Sequence, residues 1–278
     1  MSAIKHTGNF SEFFTQTAAI FLGCVAAVIL STLDYGDYAK FWPVYSILAL
    51  GLVGLTFIIG IAPEGTDNKA WLLLPGGISL QPAELLKISF IIGFSKHVTG
   101  IREEGISPLN VLLLCLHGGA HILLVHLQGD DGTALVFLVM FLAMMLAAGI
   151  KARYFIIAGV SAVIAAPIVW FQVLQQYQKD RILLLFSNEI DLQGNGWQQW
   201  RGRLAISSGG ITGHGLFRGP QVQSGDLPAA KNDFIFAVAG EELGFMGCIA
   251  IILLMLFICV RALRVARLSR DKTGMIIC

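Results

Sequence analysis

The sequence predicts an all-α fold, a polytopic bundle of transmembrane helices with one long extracellular loop before the last span. Three observations carry this prediction. Hydrophobic residues make up 55% of the 278 residues, and charged residues only 13%, against about 25% charged in soluble domains. The apolar residues form continuous runs of the roughly 20 residues that a spanning helix needs. These runs lack the alternation of membrane barrel strands. The net charge of +1 gives no indication of a nucleic-acid partner.

The sequence contains about seven such runs. In chain order they cover residues 13–33, 43–62, 79–97, 109–127, 132–150, 154–172 and 234–260. The connections are short except for residues 174–232, a polar, glycine-rich segment that we predict to be a large extracellular loop. Residues 1–278 are accordingly predicted to form a single membrane domain. The five cysteines lie in or beside apolar runs without metal-ligand spacing, so they are expected to pack as small apolar side chains.

Basic residues in the short connections predict the orientation, because cytoplasmic loops are enriched in lysine and arginine. Such residues follow the third, fifth and seventh runs: Lys96, Arg102, Lys151, Arg153, Arg261, Arg264, Arg267, Arg270 and Lys272. These connections are therefore predicted to be cytoplasmic, and residues 174–232 and the N-terminus to be external. The segment Gly274–Cys278 reads as the start of another apolar run. We therefore expect the chain to be part of a longer protein.

Charged residues inside membrane spans are costly, so each one is a candidate functional residue. The third run opens with Gln81, Pro82, Glu84 and Lys87. Glu84 and Lys87 are three residues apart and share a helix face. Lys87 lies about 9 Å along the helix axis from Gln81. The pair is either functional or a self-neutralising pair near the membrane interface.

Acidic residues mark the beginning of the last run. Asp233 stands where the long loop enters the span. Position alone favours an N-cap that satisfies free backbone N–H groups; the alternative is a general base at the membrane–water boundary. Glu241 and Glu242 follow about 12 Å further along, inside the apolar run. Two adjacent glutamates there should face protein or a water-filled cavity, which favours a functional or assembly role.

Two other patterns are weaker. His117 and His121 have the i, i+4 spacing of a zinc-binding helix but lack the glutamate of a metalloprotease motif. Interhelical hydrogen bonding is therefore favoured over metal binding. The glycines between Gly209 and Gly219 do not match the dinucleotide-binding fingerprint, so no nucleotide site is predicted.

Four segments together identify a family. They are Trp71–Lys87, Gln128–Thr133, Ala205–Leu216 and, above all, Leu227–Gly247, which reads LPAAKNDFIFAVAGEELGFMG. In these segments and their order, along nearly the whole chain, the protein closely resembles the shape, elongation, division and sporulation family of bacterial membrane proteins. Members of that family have roughly ten spans. The resemblance therefore implies that this chain lacks the first span and the last two.

The resemblance implies a peptidoglycan glycosyltransferase in the bacterial cytoplasmic (inner) membrane. Such an enzyme polymerises lipid II, the undecaprenyl-diphosphate-linked disaccharide-pentapeptide, on the outer face for cell shape or cell division. The resemblance places the essential acid at Asp233, which reverses the preference for an N-cap, and the family's lysine and tryptophan at Lys87 and Trp71. The implied partners are a transpeptidase, the class B penicillin-binding protein, and other members of the elongation or division complex.

Glycosyl transfer of this kind needs a base for the acceptor hydroxyl and charge stabilisation for the departing diphosphate. Asp233 is the candidate base. Lys87 would hold Asp233 ionised or face the diphosphate, and the sequence leaves both open. A divalent cation (Mg²⁺ or Mn²⁺) is a further candidate at the diphosphate, although no metal-binding residues are predicted. The candidate substrate-binding or supporting residues are Trp71, Gln81, Glu84, Asp130, Arg201, Arg203, Glu241 and Glu242.

The sequence departs from the family pattern at positions that bear on these roles. Ala83 replaces the usual serine of the Q-P-S-E motif. Gly129 and Asp131 replace the proline and leucine of Q-P-D-L-G-T, which leaves Asp130 as the matching acid. Two alternative functions stay open. One is a lipid II flippase, because buried charges also suit a transport path, and the other is a non-catalytic scaffold of the wall-synthesis complex.

The predicted topology is testable by labelling introduced cysteines in intact cells, in a variant whose five native cysteines are replaced by serine. Ser187→Cys should react with a membrane-impermeant maleimide because residue 187 belongs to the long external loop. Arg267→Cys should react only after permeabilisation, because it lies in the basic segment after the seventh run. The opposite labelling pattern would invert the topology.

Overall fold

A computed structural model describes residues 11–62, 68–74, 78–104, 106–174, 176, 178–179, 183, 195–227, 230 and 232–278. Most of these residues are α-helical. The helices are α1 (Ser11–Thr32), α2 (Tyr35–Lys40), α3 (Trp42–Ile59), α4 (Pro82–Glu104), α5 (Pro108–Leu127), α6 (Asp131–Ala147), α7 (Ala152–Ile168), α8 (Asn195–Ser208), α9 (Pro220–Gln223), α10 (Ile235–Leu268) and α11 (Lys272–Ile277). Ser187, in the predicted external loop, lies outside the described residues.

Each of the seven apolar runs coincides with a helix, so the predicted all-α, multi-pass membrane bundle is confirmed. Helices α1, α3, α5, α7 and α10 are long and apolar enough to cross a membrane. Helix α4 has the length, at 23 residues, but carries the predicted charges. Helix α6 is apolar and shorter, with 17 residues.

Local sequence signals explain several helix ends. Ser107 caps α5 by accepting a hydrogen bond from the Asn110 N–H at 3.1 Å, and Pro108 occupies the first helical position, where a missing N–H is harmless. Helix α7 contains Pro167 near its end. Proline cannot supply an intrahelical N–H, and the helix continues as a π-helical turn over Val169–Val173.

The sequence did not predict a small antiparallel hairpin that precedes α4. Strand β1 (Leu72–Leu74) pairs with β2 (Ile78–Leu80), with Leu72 opposite Leu80. Trp71, just before β1, extends the pairing through a bridge to Ile61. The three apolar residues of β1 are too few to show a period, so this strand could not be distinguished from the neighbouring apolar runs.

The described contacts divide the chain into two compact units. The second unit comprises Ser31–Phe155 and Arg261–Cys278. Its core is built on fully buried phenylalanines of α4 and α6, with the rings of Phe90 and Phe94 5.1 Å apart. The predicted interhelical hydrogen bond is confirmed for His117, because its Nδ1 on α5 lies 2.9 Å from His97 Nδ1 on α4. His121 Nδ1 instead lies 2.8 Å from the His117 carbonyl, within α5.

The first unit, Met1–Leu30 and Ile156–Val260, is organised around a break in α10. At Gly244 the backbone leaves the helical region, with φ 66° and ψ −166°. A preceding glycine-rich loop pairs with the broken segment. The Phe245 N–H donates to the Gly210 carbonyl at 2.9 Å, and the His214 N–H donates to the Glu241 carbonyl at 3.0 Å. Irregular backbone at a membrane needs such protein partners, because lipid offers none.

Replacing Gly244 tests the importance of this break. A Cβ there would collide with the Gly213 nitrogen and the Ile211 carbonyl, and the positive φ is itself strained for other residues, by about 1–3 kcal/mol. Gly244→Ala should therefore lower the thermal unfolding temperature of the detergent-purified protein markedly. Gly159→Ala is the matched control, because nothing lies within 4 Å of the added methyl in α7. It should be neutral or stabilise by about 0.5–1 kcal/mol. Equal effects of the two changes would contradict a special role for the break.

Candidate functional site

In the second unit, the hairpin and the α5–α6 turn bring together three of the predicted residues. Trp71 and Gln81 flank the hairpin at its open end, because Leu72 and Leu80 are paired. Gln81 Nε2 donates to Asp130 Oδ2 at 2.6 Å. The other carboxylate oxygen of Asp130 accepts the Thr133 N–H at 3.0 Å and caps α6. Through these two hydrogen bonds, Asp130 links the start of α4 to the start of α6.

Lys87 and Glu84 form the predicted pair on one face of α4. Their Nζ and Oε1 atoms lie 2.7 Å apart, and the side chains are 23% and 56% exposed, respectively. A pair as exposed as this contributes only about 0–1 kcal/mol to stability. It also remains accessible, so a stronger anion than the Glu84 carboxylate can compete for the Lys87 ammonium.

The sequence reasoning missed the role of Gln128. This side chain is only 5% exposed, and its amide Nε2 donates to the Thr56 hydroxyl oxygen on α3. The Thr56 hydroxyl proton is already donated to the Val53 carbonyl at 2.7 Å. The hydroxyl must therefore accept from the amide, which fixes the amide orientation. Gln128 thereby links the end of α3 to the α5–α6 turn, a contact 72 residues apart in sequence that no local pattern encodes.

In the first unit, Asp233 is exposed and lies in the turn before α10, which begins at Ile235. Among the described residues its carboxylate forms no hydrogen bond or ion pair, so the described contacts give no support to the N-cap interpretation. The neighbouring Phe234 is held tightly, because a Cβ on Gly202 of α8 would lie 2.7 Å from its ring carbons. Within the described part of the chain, the aspartate is therefore an unpaired carboxylate next to an aromatic ring that packs against α8.

The two predicted arginines of α8 have different surroundings. Arg201 lies over the rings of Trp197 and Trp200, 5.2 and 5.5 Å from their centroids. It donates to Gln221 Oε1 at 3.1 Å and approaches Asp226 at 3.7 Å. Arg203 is exposed, and it makes no such contact within the described part of the chain. Arg201 thus supports the loop, whereas Arg203 carries the more available charge.

Glu241 is completely buried, with 0% exposure. One carboxylate oxygen accepts the Gln221 N–H at 2.7 Å, and the other accepts the Val222 N–H at 3.0 Å. The Ser208 hydroxyl lies 3.3 Å from the first oxygen, but its single proton also has the Ala205 carbonyl as an acceptor at 2.8 Å. Gly219 packs so closely that a Cβ would lie 2.5 Å from Oε2. The carboxylate therefore joins the end of α8, the start of α9 and α10.

Glu242 is also buried, at 3% exposure, and its carbonyl accepts the Gly215 N–H at 2.9 Å. Both glutamates face protein, as predicted. They lie inside the apolar helix α10, between the apolar residues Ile235–Ala239 and the break at Gly244.

The described residues do not by themselves make a divalent-cation site. Nowhere among them do three or more histidine, cysteine or acidic side chains converge as metal ligands. The carboxylate of Asp130 is occupied by its two donors, and that of Glu84 by Lys87. No step of the reaction proposed below depends on a divalent metal cation.

The comparisons with known proteins agree with this architecture. The family model of the FtsW/RodA/SpoVE cell cycle proteins matches residues 1–278. The chain belongs to this family. It is 34% identical to the probable peptidoglycan glycosyltransferase FtsW of Trichlorobacter lovleyi, over 98% of this chain and 72% of the relative. It is 28% identical to the peptidoglycan glycosyltransferase MrdB of Escherichia coli K12, over 92% of this chain and 68% of the relative.

Two solved structures share the fold of this FtsW/RodA/SpoVE protein. One comes from work titled as the structural coordination of polymerization and crosslinking by a peptidoglycan synthase complex. It has a TM-score of 0.75 at 23% identity, over 95% of this chain and 72% of that chain. The other is the rod shape determining protein RodA of Thermus thermophilus, with a TM-score of 0.63 at 20% identity, over 95% and 69%. The family assignment makes this chain a multi-pass membrane protein of cell-wall synthesis and, by enzyme class, a glycosyltransferase.

The Glu241 contacts predict a strong response to a nearly isosteric change. Glu241→Gln replaces one acceptor oxygen by an NH₂ group that faces a backbone or hydroxyl donor, so it should destabilise the protein by about 1–3 kcal/mol. The measurement is thermal unfolding in detergent, with limited proteolysis of residues 209–223 as a local readout. Glu84→Gln is the control, because this carboxylate is 56% exposed, and it should change stability by less than about 1 kcal/mol. If the two variants unfolded alike, Glu241 would not be an anchor.

Proposed function

We propose that this glycosyltransferase polymerises lipid II into glycan strands on the outer face of the bacterial cytoplasmic membrane. One observation carries the proposal. Asp233, in the segment that most specifically matches the family, is an exposed carboxylate that has no partner among the described residues. A general base must be accessible to its substrate and held in place. The contact of Phe234 with Gly202 and the Glu241 hydrogen bonds supply that support.

In the proposed reaction, Asp233 accepts the proton of an acceptor sugar hydroxyl. The hydroxyl oxygen forms a bond to the anomeric carbon of the donor, and the bond from that carbon to the diphosphate oxygen breaks. The electron pair leaves with the undecaprenyl diphosphate. Two separate tasks follow for the protein: removing a proton at the acceptor and stabilising negative charge at the leaving group.

Two cations are suited to the second task. Lys87 exchanges its exposed Glu84 partner for the diphosphate at little energetic cost, because the existing pair is weak. Arg203 is exposed and carries no counter-charge among the described residues. Arg201 supports the loop through Gln221 and Asp226. In the second unit, the Trp71–Ile61 bridge and the Gln81–Asp130 hydrogen bond position the neighbouring helix ends.

The partner that we propose is a class B penicillin-binding protein, a transpeptidase. The support is the similarity in fold to a chain from a peptidoglycan synthase complex whose title names polymerization and crosslinking. The flippase alternative relied on buried glutamates as a transport path. The buried Glu241 carboxylate accepts hydrogen bonds from two backbone N–H groups of the protein. It therefore already has a structural role, and this favours the polymerase.

Substitution of Asp233 tests whether this residue acts as a general base or has only a structural role. Asp233→Asn should lower lipid II polymerisation by at least the roughly 10²–10⁴-fold typical of acid–base catalysis, because an amide cannot accept the proton. The assay uses purified protein in detergent with lipid II and the transpeptidase partner, so that no membrane crossing is required. Asp37→Asn is the control, since Asp37 is an exposed carboxylate paired with Lys40 in α2, and it should polymerise normally.

Combining variants tests whether Lys87 acts with Asp233. Lys87→Ala should be strongly impaired, and adding Asp233→Asn should lower the rate little further if the two residues act as a unit. An Asp233→Asn protein within a few-fold of wild type would end the catalytic assignment. Wild-type protein that makes no glycan in detergent would favour the flippase or scaffold.

A further inference from the structure

The glycine-rich segment Gly209–Gly219 packs beside the broken part of α10. The Met246 N–H donates to the Ile211 carbonyl at 3.2 Å. In the other direction, the Gly215 N–H of the segment donates to the Glu242 carbonyl at 2.9 Å. These bonds engage α10 on both sides of its break. The segment therefore lies level with the broken part of the helix, and not beyond the end of the helix.

The part of α10 that follows the break is too short to cross the bilayer alone. Phe245–Val260, which contains no charged residue, extends about 24 Å at the usual rise per residue. The hydrocarbon core is about 30 Å thick, and a tilt of the helix increases the difference. The basic residues that begin at Arg261 are predicted to lie at the inner boundary. The outer boundary of the core therefore lies about 20 residues earlier, near Glu241.

This boundary places part of the glycine-rich segment inside the hydrocarbon core. The N–H groups of Phe245 and Met246 donate to the carbonyls of Gly210 and Ile211. Both donors follow Glu241 in the helix, by four and five residues, so these bonds lie about 6–8 Å below the boundary. Backbone at that depth must find its hydrogen-bond partners within the protein. The pairing with α10 meets this requirement for both carbonyls.

The side chains of the segment suit contact with lipid. Ile211 and Leu216 are aliphatic, and they are 70% and 62% exposed. Such side chains gain free energy when they leave water for hydrocarbon. Phe245 and Met246 of α10 are also exposed, and Met246 is bonded directly to Ile211. The apolar surface of the segment therefore adjoins that of a membrane-spanning helix.

We propose that the glycine-rich segment dips into the outer leaflet and contacts the acyl chains of the bilayer through Ile211 and Leu216. Part of the predicted extracellular loop is then a re-entrant element within the membrane. The polar residues of the segment are compatible with this position. The His214 N–H donates to the Glu241 carbonyl at 3.0 Å, which keeps that residue at the boundary, and the exposed side chain of Arg218 is long enough to reach the headgroups.

The test measures the depth of a nitroxide label on one introduced cysteine, in the full chain without its native cysteines, reconstituted in phosphatidylcholine vesicles. Collisions with oxygen, which concentrates in hydrocarbon, are compared with collisions with nickel ethylenediaminediacetate, which stays in water. Ile211→Cys should report a depth of about 6–8 Å below the hydrocarbon boundary, calibrated with doxyl-labelled lipids. Ser224→Cys is the matched control, because this residue is exposed in the turn after α9, beside Asp226, and it should report water.

Leu216→Cys is a second probe of the segment, so the test does not depend on a single variant. Circular dichroism and size-exclusion chromatography establish that each labelled protein folds. The Leu216 label should also collide more with oxygen than with the nickel complex. Labels at Ile211 and Leu216 that meet the nickel complex as readily as the Ser224 label would place the segment in water. Labels shielded from both reagents would place it against protein. Either result would overturn the proposal.

Discussion

The first unit depends on the hydrogen bonds that its backbone donates to the buried carboxylate of Glu241. Removing a carboxyl group from water is costly unless hydrogen bonds replace its lost hydration. Here two backbone N–H groups supply that replacement, and the Ser208 hydroxyl lies 3.3 Å away. The need for these hydrogen bonds constrains the residues around Glu241. Position 219 must lack a side chain, and α8 must end where Ser208 lies near the carboxylate. The break in α10 follows from the same arrangement, because the loop can pair only with backbone that has left the helical ladder.

In the second unit, hydrogen bonds between polar side chains hold helix ends together. Helices in a bilayer gain little from burying apolar surface against one another, since lipid is equally apolar, so polar contacts contribute to holding them together. The bonds from Gln81 to Asp130 and from Gln128 to Thr56 lie at helix ends. The first joins the start of α4 to the start of α6, and the second joins the end of α3 to the end of α5. Such links set the positions of helix ends without placing an unpaired charge in the apolar core.

Local patterns predicted the helices but not the contacts between distant residues. The apolar runs, the Glu84–Lys87 pair and the protein-facing glutamates were all predictable, because each follows from helix periodicity or from the cost of burying charge. The partners of Glu241 were not, since they lie 19 to 33 residues earlier in the chain. The one available signal was the group of glycines from Gly209 to Gly219, which marks close backbone packing. The role proposed for Asp233 came from the family resemblance, because position alone favoured a cap.

The Glu241 anchor also has a consequence for the order in which the protein is assembled. Residues 208–222 are synthesised before the glutamate that holds them, and Gln221 precedes Glu241 by 20 residues. At roughly 5–20 residues per second, the ribosome needs about one to four seconds to make that interval. During this time the glycine-rich segment has left the ribosome without its carboxylate acceptor. The hydrogen bonds of Gln221 and Val222 to the carboxylate can therefore form only after Glu241 has been synthesised.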